Sequence, residues 1–156
     1  MTDKLITFID EQRLSVEWIL ETHARADHLS SAAYLINRLG GRIGIGNNIP
    51  VVQETFKKIF NLGNEFIPDG HHFDHLFTEG ELFQVGKLTV KVISVSSHTP
   101  ADTAFQFNDA IFGGNTLFMP DIGTARADFP GGDARQLFKS TQKLLIFPPV
   151  EANGIA

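Results

Sequence analysis

The chain has 156 residues, of which 42% are hydrophobic and 20% charged, with a formal net charge of −5 and no cysteine. This length predicts one domain, residues 1–156, with enough chain to bury a core. No apolar run approaches the roughly 20 residues of a membrane span, and an acidic chain lacks the basic face typical of nucleic-acid binding. The absence of cysteine excludes disulfides, thiolate metal sites and cysteine nucleophiles. We therefore expect a cytoplasmic globular domain without membrane or nucleic-acid partners.

The first half of the chain alternates between helical and strand-like hydrophobic spacing. The predicted elements are helices over residues 4–12, 29–39 and 51–60, and strands over residues 16–20 and 42–45. The stretch from Asn61 to Gly80 is rich in Gly, Asp and His and predicts a loop. It contains the run His71-His72-Phe73-Asp74-His75, which we interpret as a solvated loop and not as a metal site.

The second half changes to a period of two. Two hairpins with two-residue turns are predicted over residues 82–95 and 103–112, and helical spacing returns over residues 133–145. The whole pattern indicates a single α/β domain. In such domains, ligands usually bind beside the carboxyl ends of the strands.

The densest polar cluster directly follows the first predicted strand and reads Thr22-His23-Ala24-Arg25-Ala26-Asp27-His28. Imidazole and carboxylate groups suit zinc, or a non-haem iron held by two histidines and one carboxylate. The alternative is that Asp27 caps the next helix and both histidines are ordinary loop residues. The spacing alone leaves both interpretations open.

Three further segments join a strand end or turn to polar residues. They are Ser97-His98-Thr99-Pro100, Phe112-Gly113-Gly114-Asn115-Thr116-Leu117-Phe118, and Gly123 to Asp133. His98 stands between a predicted strand and a rigid proline turn, a suitable place for a site residue. The planar guanidinium of Arg126 suits a carboxylate ligand; the alternative is an ion pair with Asp128 or Asp133.

These four segments, in this order, resemble the motifs of the metallo-β-lactamase superfamily. The first resembles Thr-His-x-His-x-Asp-His, the second Gly-His-Thr-Pro, and Gly114-Asn115-Thr116-Leu117-Phe118 resembles Gly-Asp-Thr-Leu-Phe. The segment Gly123-Thr124-Ala125-Arg126-Ala127-Asp128-Phe129-Pro130-Gly131-Gly132-Asp133 resembles the branch of persulfide dioxygenases, which act on glutathione persulfide and are close to the glyoxalase II thioesterases. The resemblance runs from about Phe8 to Pro149. It implies an αβ/βα sandwich, shortened at both ends.

The resemblance also implies a metal site. One Fe(II), with zinc as the alternative metal, would be held by His23, His98 and Asn115. The family has an aspartate carboxylate at the third position, and Asn115 supplies a neutral amide oxygen there, which divalent cations bind less well. Arg25 stands where the family has its second motif histidine, and it places a fixed positive charge beside the metal.

The remaining matches imply catalytic and substrate-binding roles. Asp27 and His28 would orient ligands or water as catalytic residues, and Arg126 would bind a carboxylate of glutathione. The partner would be a small thiol or persulfide of the glutathione type. The exposed edge of a shortened sheet also favours a homodimer, which we state as a hypothesis.

Three functions are consistent with this resemblance. The first is oxidation of glutathione persulfide to sulfite at a mononuclear iron, with activity impaired by the substitutions at positions 25 and 115. The second is glyoxalase II-like thioester hydrolysis by a metal-bound hydroxide, which in this family normally uses two metals. The third is a catalytically inactive relative that only binds a thiol ligand.

Overall fold

The computed structural model describes residues 2–25 and 30–146. The helices are α1 (Thr2–Glu11), α2 (Ala32–Leu39), α3 (Ile49–Ile59) and α4 (Ala134–Leu145), and a 3₁₀ turn spans Gly114–Thr116. The strands are β1 (Trp18–Leu20), β2 (Arg42–Gly46), β3 (His75–Phe77), β4 (Leu82–Val85), β5 (Leu88–Ser94), β6 (Thr103–Phe107) and β7 (Ala110–Phe112). No helix in these two ranges is long and apolar enough to cross a membrane.

The strands form two sheets that face each other. One is parallel with the order β1-β2-β3, and the other is antiparallel with the order β4-β5-β6-β7. Residues from both sheets meet in one apolar cluster. Successive side chains of β5 point alternately toward this cluster and away from it, as expected for a strand in a sandwich. This cluster consists of Phe77, Val90, Val92 and Phe105, with Trp18, Leu20, Phe83, Val85 and Phe107 packed against it.

Helices cover the outer faces of the two sheets. Ile93 of β5 packs with Leu144 of α4 on the outside of the antiparallel sheet. Ile45 of β2 packs with Ile49 and Val52 of α3 on the outside of the parallel sheet. The layers therefore run helix, sheet, sheet, helix, and the predicted αβ/βα sandwich is confirmed.

One strand was not predicted. Residues 61–80 are predicted as a loop, but His75–Phe77 forms β3 and pairs in parallel with Gly44–Gly46 of β2. A strand of three residues carries too few positions for a periodic signal, and here the buried Phe77 ring holds it in place. His75 is half-buried, and its Nε2 lies 2.6 Å from a carboxylate oxygen of Glu81, so the solvated-loop prediction is wrong for this histidine.

The apolar cluster between the sheets gives a direct test of the sandwich. Phe105 is 1% exposed, and its ring contacts the rings of Phe77 and Phe83. Phe105→Ala should lower the free energy of unfolding by about 3–5 kcal/mol because it leaves a cavity between the sheets. Phe138→Ala is the control, since Phe138 is 66% exposed. Equal urea midpoints for the two variants would contradict this packing.

Candidate functional site

The candidate site lies beside the carboxyl ends of β1 and β2. The chain leaves β1 through a turn that contains Thr22, His23 and Arg25, and a cavity of about 330 Å³ opens beside this turn. The residues that line it include Thr22, His23, Arg25, Ile45 and His72. The cavity is therefore at the edge of the parallel sheet where ligands usually bind in α/β folds.

The two histidines that were predicted as metal ligands are neighbours. The ring centroids of His23 and His98 are 5.6 Å apart, with an angle of 69° between the ring planes. Thr22 holds the first ring, because its Oγ1 shares a hydrogen bond of 3.0 Å with Nδ1 of His23. The carbonyl of Thr22 accepts a hydrogen bond of 2.8 Å from the backbone N–H of Thr103. This bond ties the histidine turn to the start of β6.

Both ring nitrogens of His98 are hydrogen-bonded, and its side chain is buried. Nη1 of Arg25 donates to Nε2 of His98 at 2.8 Å. A guanidinium only donates, so Nε2 is the acceptor and the ring proton sits on Nδ1. That Nδ1–H donates to the backbone carbonyl of Arg126. A histidine that ligates a metal typically makes the same bond to a carbonyl, but here the other nitrogen meets an arginine.

Asp102, which was not predicted as a site residue, fixes the turn that presents His98. Its side chain is 4% exposed. Its Oδ2 accepts from the backbone N–H groups of His98 at 2.7 Å and Thr99 at 2.8 Å, and Oδ1 accepts from the Thr99 hydroxyl at 2.5 Å. The Ser97 hydroxyl also lies 3.3 Å from Oδ2, and a buried carboxylate with this many donors rigidifies its loop. The only signal in the sequence is an aspartate that follows a His-Thr-Pro turn.

The segment around Asn115 reaches the histidine turn through its backbone. Gly114 has a φ of +53°, and a Cβ at this position would collide with the side chain of Thr22. Only glycine permits both this conformation and this approach. The carbonyl of Asn115 accepts a hydrogen bond of 3.1 Å from the N–H of Ala125. The third predicted segment therefore lies between the turn after β1 and the segment that begins at Gly123.

The structure places the other predicted site residues less closely. The Arg126 side chain is 75% exposed, and its Nε lies 3.5 Å from Oδ2 of Asp128. This is the ion pair that the sequence analysis gave as the alternative role of Arg126. The predicted catalytic residues Asp27 and His28 lie outside the described residues.

Asp133 anchors the end of the segment that begins at Gly123. Its side chain caps α4, and its own backbone N–H donates to the carbonyl of Ser97 at 3.0 Å. The backbone N–H groups of Gln136 and Arg135 bind the Asp133 carboxylate and hold the pKa of this carboxyl below its ordinary value. The predicted helix start at residue 133 is therefore confirmed to within the capping residue.

The described residues do not fit a divalent metal at His98. The guanidinium of Arg25 occupies Nε2, which a metal would need. Asn115, the third predicted ligand, has a neutral amide side chain. Within residues 2–25 and 30–146, no group of three or more His, Cys, Asp or Glu side chains is arranged to hold a metal ion. The structure thus brings together two histidines and a cation, His23, His98 and Arg25.

Comparison with known proteins decides the family. The model of the metallo-beta-lactamase superfamily matches residues 2–150. The chain belongs to the metallo-beta-lactamase superfamily. Glyoxylase B2 of Dictyostelium discoideum is 51% identical to it over 148 residues, a match that covers 94% of this chain and 51% of that protein. A hydroxyacylglutathione hydrolase of Psychromonas ingrahamii is 28% identical over 147 residues, covering 92% of this chain and 48% of that protein. The chain spans about half the length of these curated relatives.

Solved structures agree with this fold. ETHE1 from Myxococcus xanthus matches with a TM-score of 0.74 at 22% identity, covering 97% of this chain and 57% of that one. The structure of TTHA1623, described as a di-iron-bound form, matches with a TM-score of 0.69 at 26% identity, covering 96% of this chain and 73% of that one. At such identities the likeness to ETHE1 establishes the fold.

Another solved structure of this fold is described by a motif that is similar in letters to residues 23–28 of this chain. A metallo-beta-lactamase from Cronobacter sakazakii, described by its HARLDQ motif, matches with a TM-score of 0.56 at 20% identity, covering 86% of this chain and 54% of that one. Residues 23–28 of this chain read HARADH, which shares four of those six letters, including the arginine.

The role of Asp102 can be tested by stability. Asp102→Ala leaves three buried donors without an acceptor, and each such group costs about 1–3 kcal/mol. We expect a loss of about 3 kcal/mol or more in the free energy of unfolding, measured in urea. Asp102→Asn, which keeps one carboxamide oxygen, should lose less. Asp121→Ala, at an exposed position, is the control, and an Asp102→Ala protein as stable as this control would refute the role.

Proposed function

We propose that this chain binds a thiol or persulfide of the glutathione type in the cavity that His23 and Arg25 line. We further propose that persulfide dioxygenase activity, the activity of the branch that it resembles, is impaired in it. The observation that carries the proposal is the hydrogen bond from Nδ1 of His98 to the carbonyl of Arg126. Through this bond, the segment that resembles the glutathione-dependent branch becomes a wall of the histidine site.

Two further backbone contacts support this placement of the segment. The N–H of Ala125 donates to the carbonyl of Asn115, and the N–H of Asp133 donates to the carbonyl of Ser97. The segment that begins at Gly123 thus contacts both the segment around Asn115 and the turn that contains Ser97 and His98. Its position beside them suits a role in binding the ligand's peptide part.

Arg126 is the group that we propose for a glutathione carboxylate. Its guanidinium is mostly exposed, and its pairing with Asp128 at 3.5 Å is a surface ion pair. Such pairs are worth about 0–1 kcal/mol, so a ligand carboxylate with two parallel hydrogen bonds would compete well. The carbonyl that holds His98 belongs to the backbone, and it remains when the Arg126 side chain is changed.

Impaired turnover follows from the donor set. In the proposed site, His23, His98 and Asn115 are the metal positions, and Asp27 and His28 are the catalytic residues of the family. Arg25 at His98 and the neutral amide at position 115 both oppose binding of Fe(II) or zinc. A binding role with little or no turnover is therefore the form of the proposal that the geometry favours.

Thioester hydrolysis is the second candidate activity. The relatives named glyoxylase B2 and hydroxyacylglutathione hydrolase favour it over oxidation. Both reactions use a glutathione-type ligand, so the binding proposal is common to them. The two activities differ in what they consume, because the oxidation uses dioxygen and the hydrolysis uses water.

The proposed carboxylate contact is tested with calorimetry and glutathione. Arg126→Ala removes a charge-assisted contact of about 1.5–3 kcal/mol, which corresponds to at least about a tenfold loss of affinity. Arg38→Ala is the control, because Arg38 is an exposed residue of α2. This variant should bind glutathione like the unchanged protein. Equal affinity of all three proteins would exclude Arg126 from the binding site, and no binding by any of them would refute the proposed function.

The activity is tested by restoring the family's residues at two positions. The double variant Arg25→His, Asn115→Asp should retain more metal after dialysis than the unchanged chain, and the two effects should not simply add because they act on one site. Oxygen consumption with glutathione persulfide and hydrolysis of a glutathione thioester identify which activity is regained. A double variant that retains no more metal would show that His23, His98 and position 115 do not converge as proposed.

A further inference from the structure

We infer that the guanidinium of Arg25 takes the place on His98 that a metal ion takes in metal-binding members of the family. The arginine side chain therefore occupies Nε2 of His98, and a divalent metal cannot bind to this nitrogen while the arginine is there. This inference rests on the Arg25–His98 hydrogen bond and is independent of glutathione binding. It concerns the resident cation of the site, whatever ligand the cavity accepts.

Nε2 of His98 has a single lone pair available for a partner. An imidazole nitrogen has one lone pair in the plane of the ring, and it can bind a proton, a donor or a metal, but only one at a time. Nη1 of Arg25 lies 2.8 Å from this nitrogen. A zinc ion would need to lie about 2.0–2.1 Å from the same nitrogen. The metal and the guanidinium therefore exclude each other.

The tautomer of His98 is the one that a metal would require. Its proton sits on Nδ1 and is held by the carbonyl of Arg126, while Nε2 faces a positive charge. His98 thus makes the same carbonyl contact as a metal-ligating histidine, and a guanidinium lies where the metal ion would be. Because a guanidinium is always protonated in proteins, the group that faces Nε2 is a cation and a donor only.

The guanidinium of Arg25 also repels a metal. A divalent ion near His23 and His98 would meet this positive charge in a partly buried site, where like charges repel strongly. In the part of the chain that the structure describes, no other set of three ligating side chains offers an alternative position.

The loops of the site are fixed by bonds that need no metal. Asp102 holds the backbone of His98 and Thr99, and the N–H of Thr103 holds the carbonyl of Thr22. The fold should therefore be as stable in the presence of a chelator as in its absence. In a protein whose metal ties loops together, a chelator lowers stability by removing a ligand of the native state.

The experiment is a zinc titration in competition with a chromophoric chelator. The unchanged chain and Arg38→Ala should show the same weak zinc binding. Arg25→Ala and Arg25→His should bind zinc at least about tenfold more tightly, because changes of this kind around a metal site alter affinity by about 10–100-fold. A further change, His98→Ala in the Arg25→His background, should abolish the gain.

The inference fails if the unchanged chain binds one equivalent of zinc as tightly as Arg25→Ala. If circular dichroism shows that Arg25→Ala is unfolded, thermal melting of the unchanged chain decides. An unfolding temperature that is the same with zinc and with chelator supports the inference, and a clear rise with one equivalent of zinc overturns it. Calorimetry with glutathione on the same samples reports on the proposed function separately, so the two can fail independently.

Discussion

The hydrogen bonds of His98 hold the candidate site together. Nδ1 donates to a carbonyl in the segment that begins at Gly123, Nε2 accepts from Arg25 in the turn after β1, and the backbone N–H donates to Asp102. The buried ring thus joins its own turn, which Asp102 fixes, to two stretches of chain that are distant in sequence. A neutral imidazole carries a proton on only one of its two nitrogens, so the partner of one nitrogen decides the protonation of the other. The tautomer, the position of Arg25 and the exclusion of a metal at Nε2 are one arrangement.

This arrangement separates fold from chemistry. The chain has the sandwich of the metallo-beta-lactamase superfamily, with a cavity at the carboxyl end of the parallel sheet. Folds of this kind host different functions, and function is decided by the site itself. Here His98 keeps the carbonyl contact that a metal-ligating histidine typically makes, but its other ring nitrogen binds a guanidinium and not a metal. A ligand in the cavity would therefore meet the guanidinium of Arg25, together with the walls formed by Thr22, Ile45 and His72.

Much of the fold could be predicted from local signals. The two hairpins are accurate because a two-residue turn and a period of two leave little freedom in register. Strand β3 was missed because its stability comes from pairing with β2 and from burial of Phe77, neither of which is local. The convergence of the four polar segments was predicted from the resemblance to the family. The positive charge of Arg25 beside the site was predicted in the same way, but its hydrogen bond to His98 and the role of Asp102 were not. A bond between residues 73 positions apart and a buried carboxylate that fixes its own loop have no periodic signature.

The most direct test of the account is the state of the His98 ring in the unchanged protein. Long-range proton–nitrogen correlation spectra of protein with ¹⁵N-labelled histidine distinguish a nitrogen that carries a proton from one that accepts a hydrogen bond or binds a metal. The account predicts a proton on Nδ1 of His98 and an accepting Nε2, with both signals unchanged by one equivalent of zinc or by a chelator. Movement of the Nε2 signal on addition of zinc, with loss of the Arg25 contact, would contradict it.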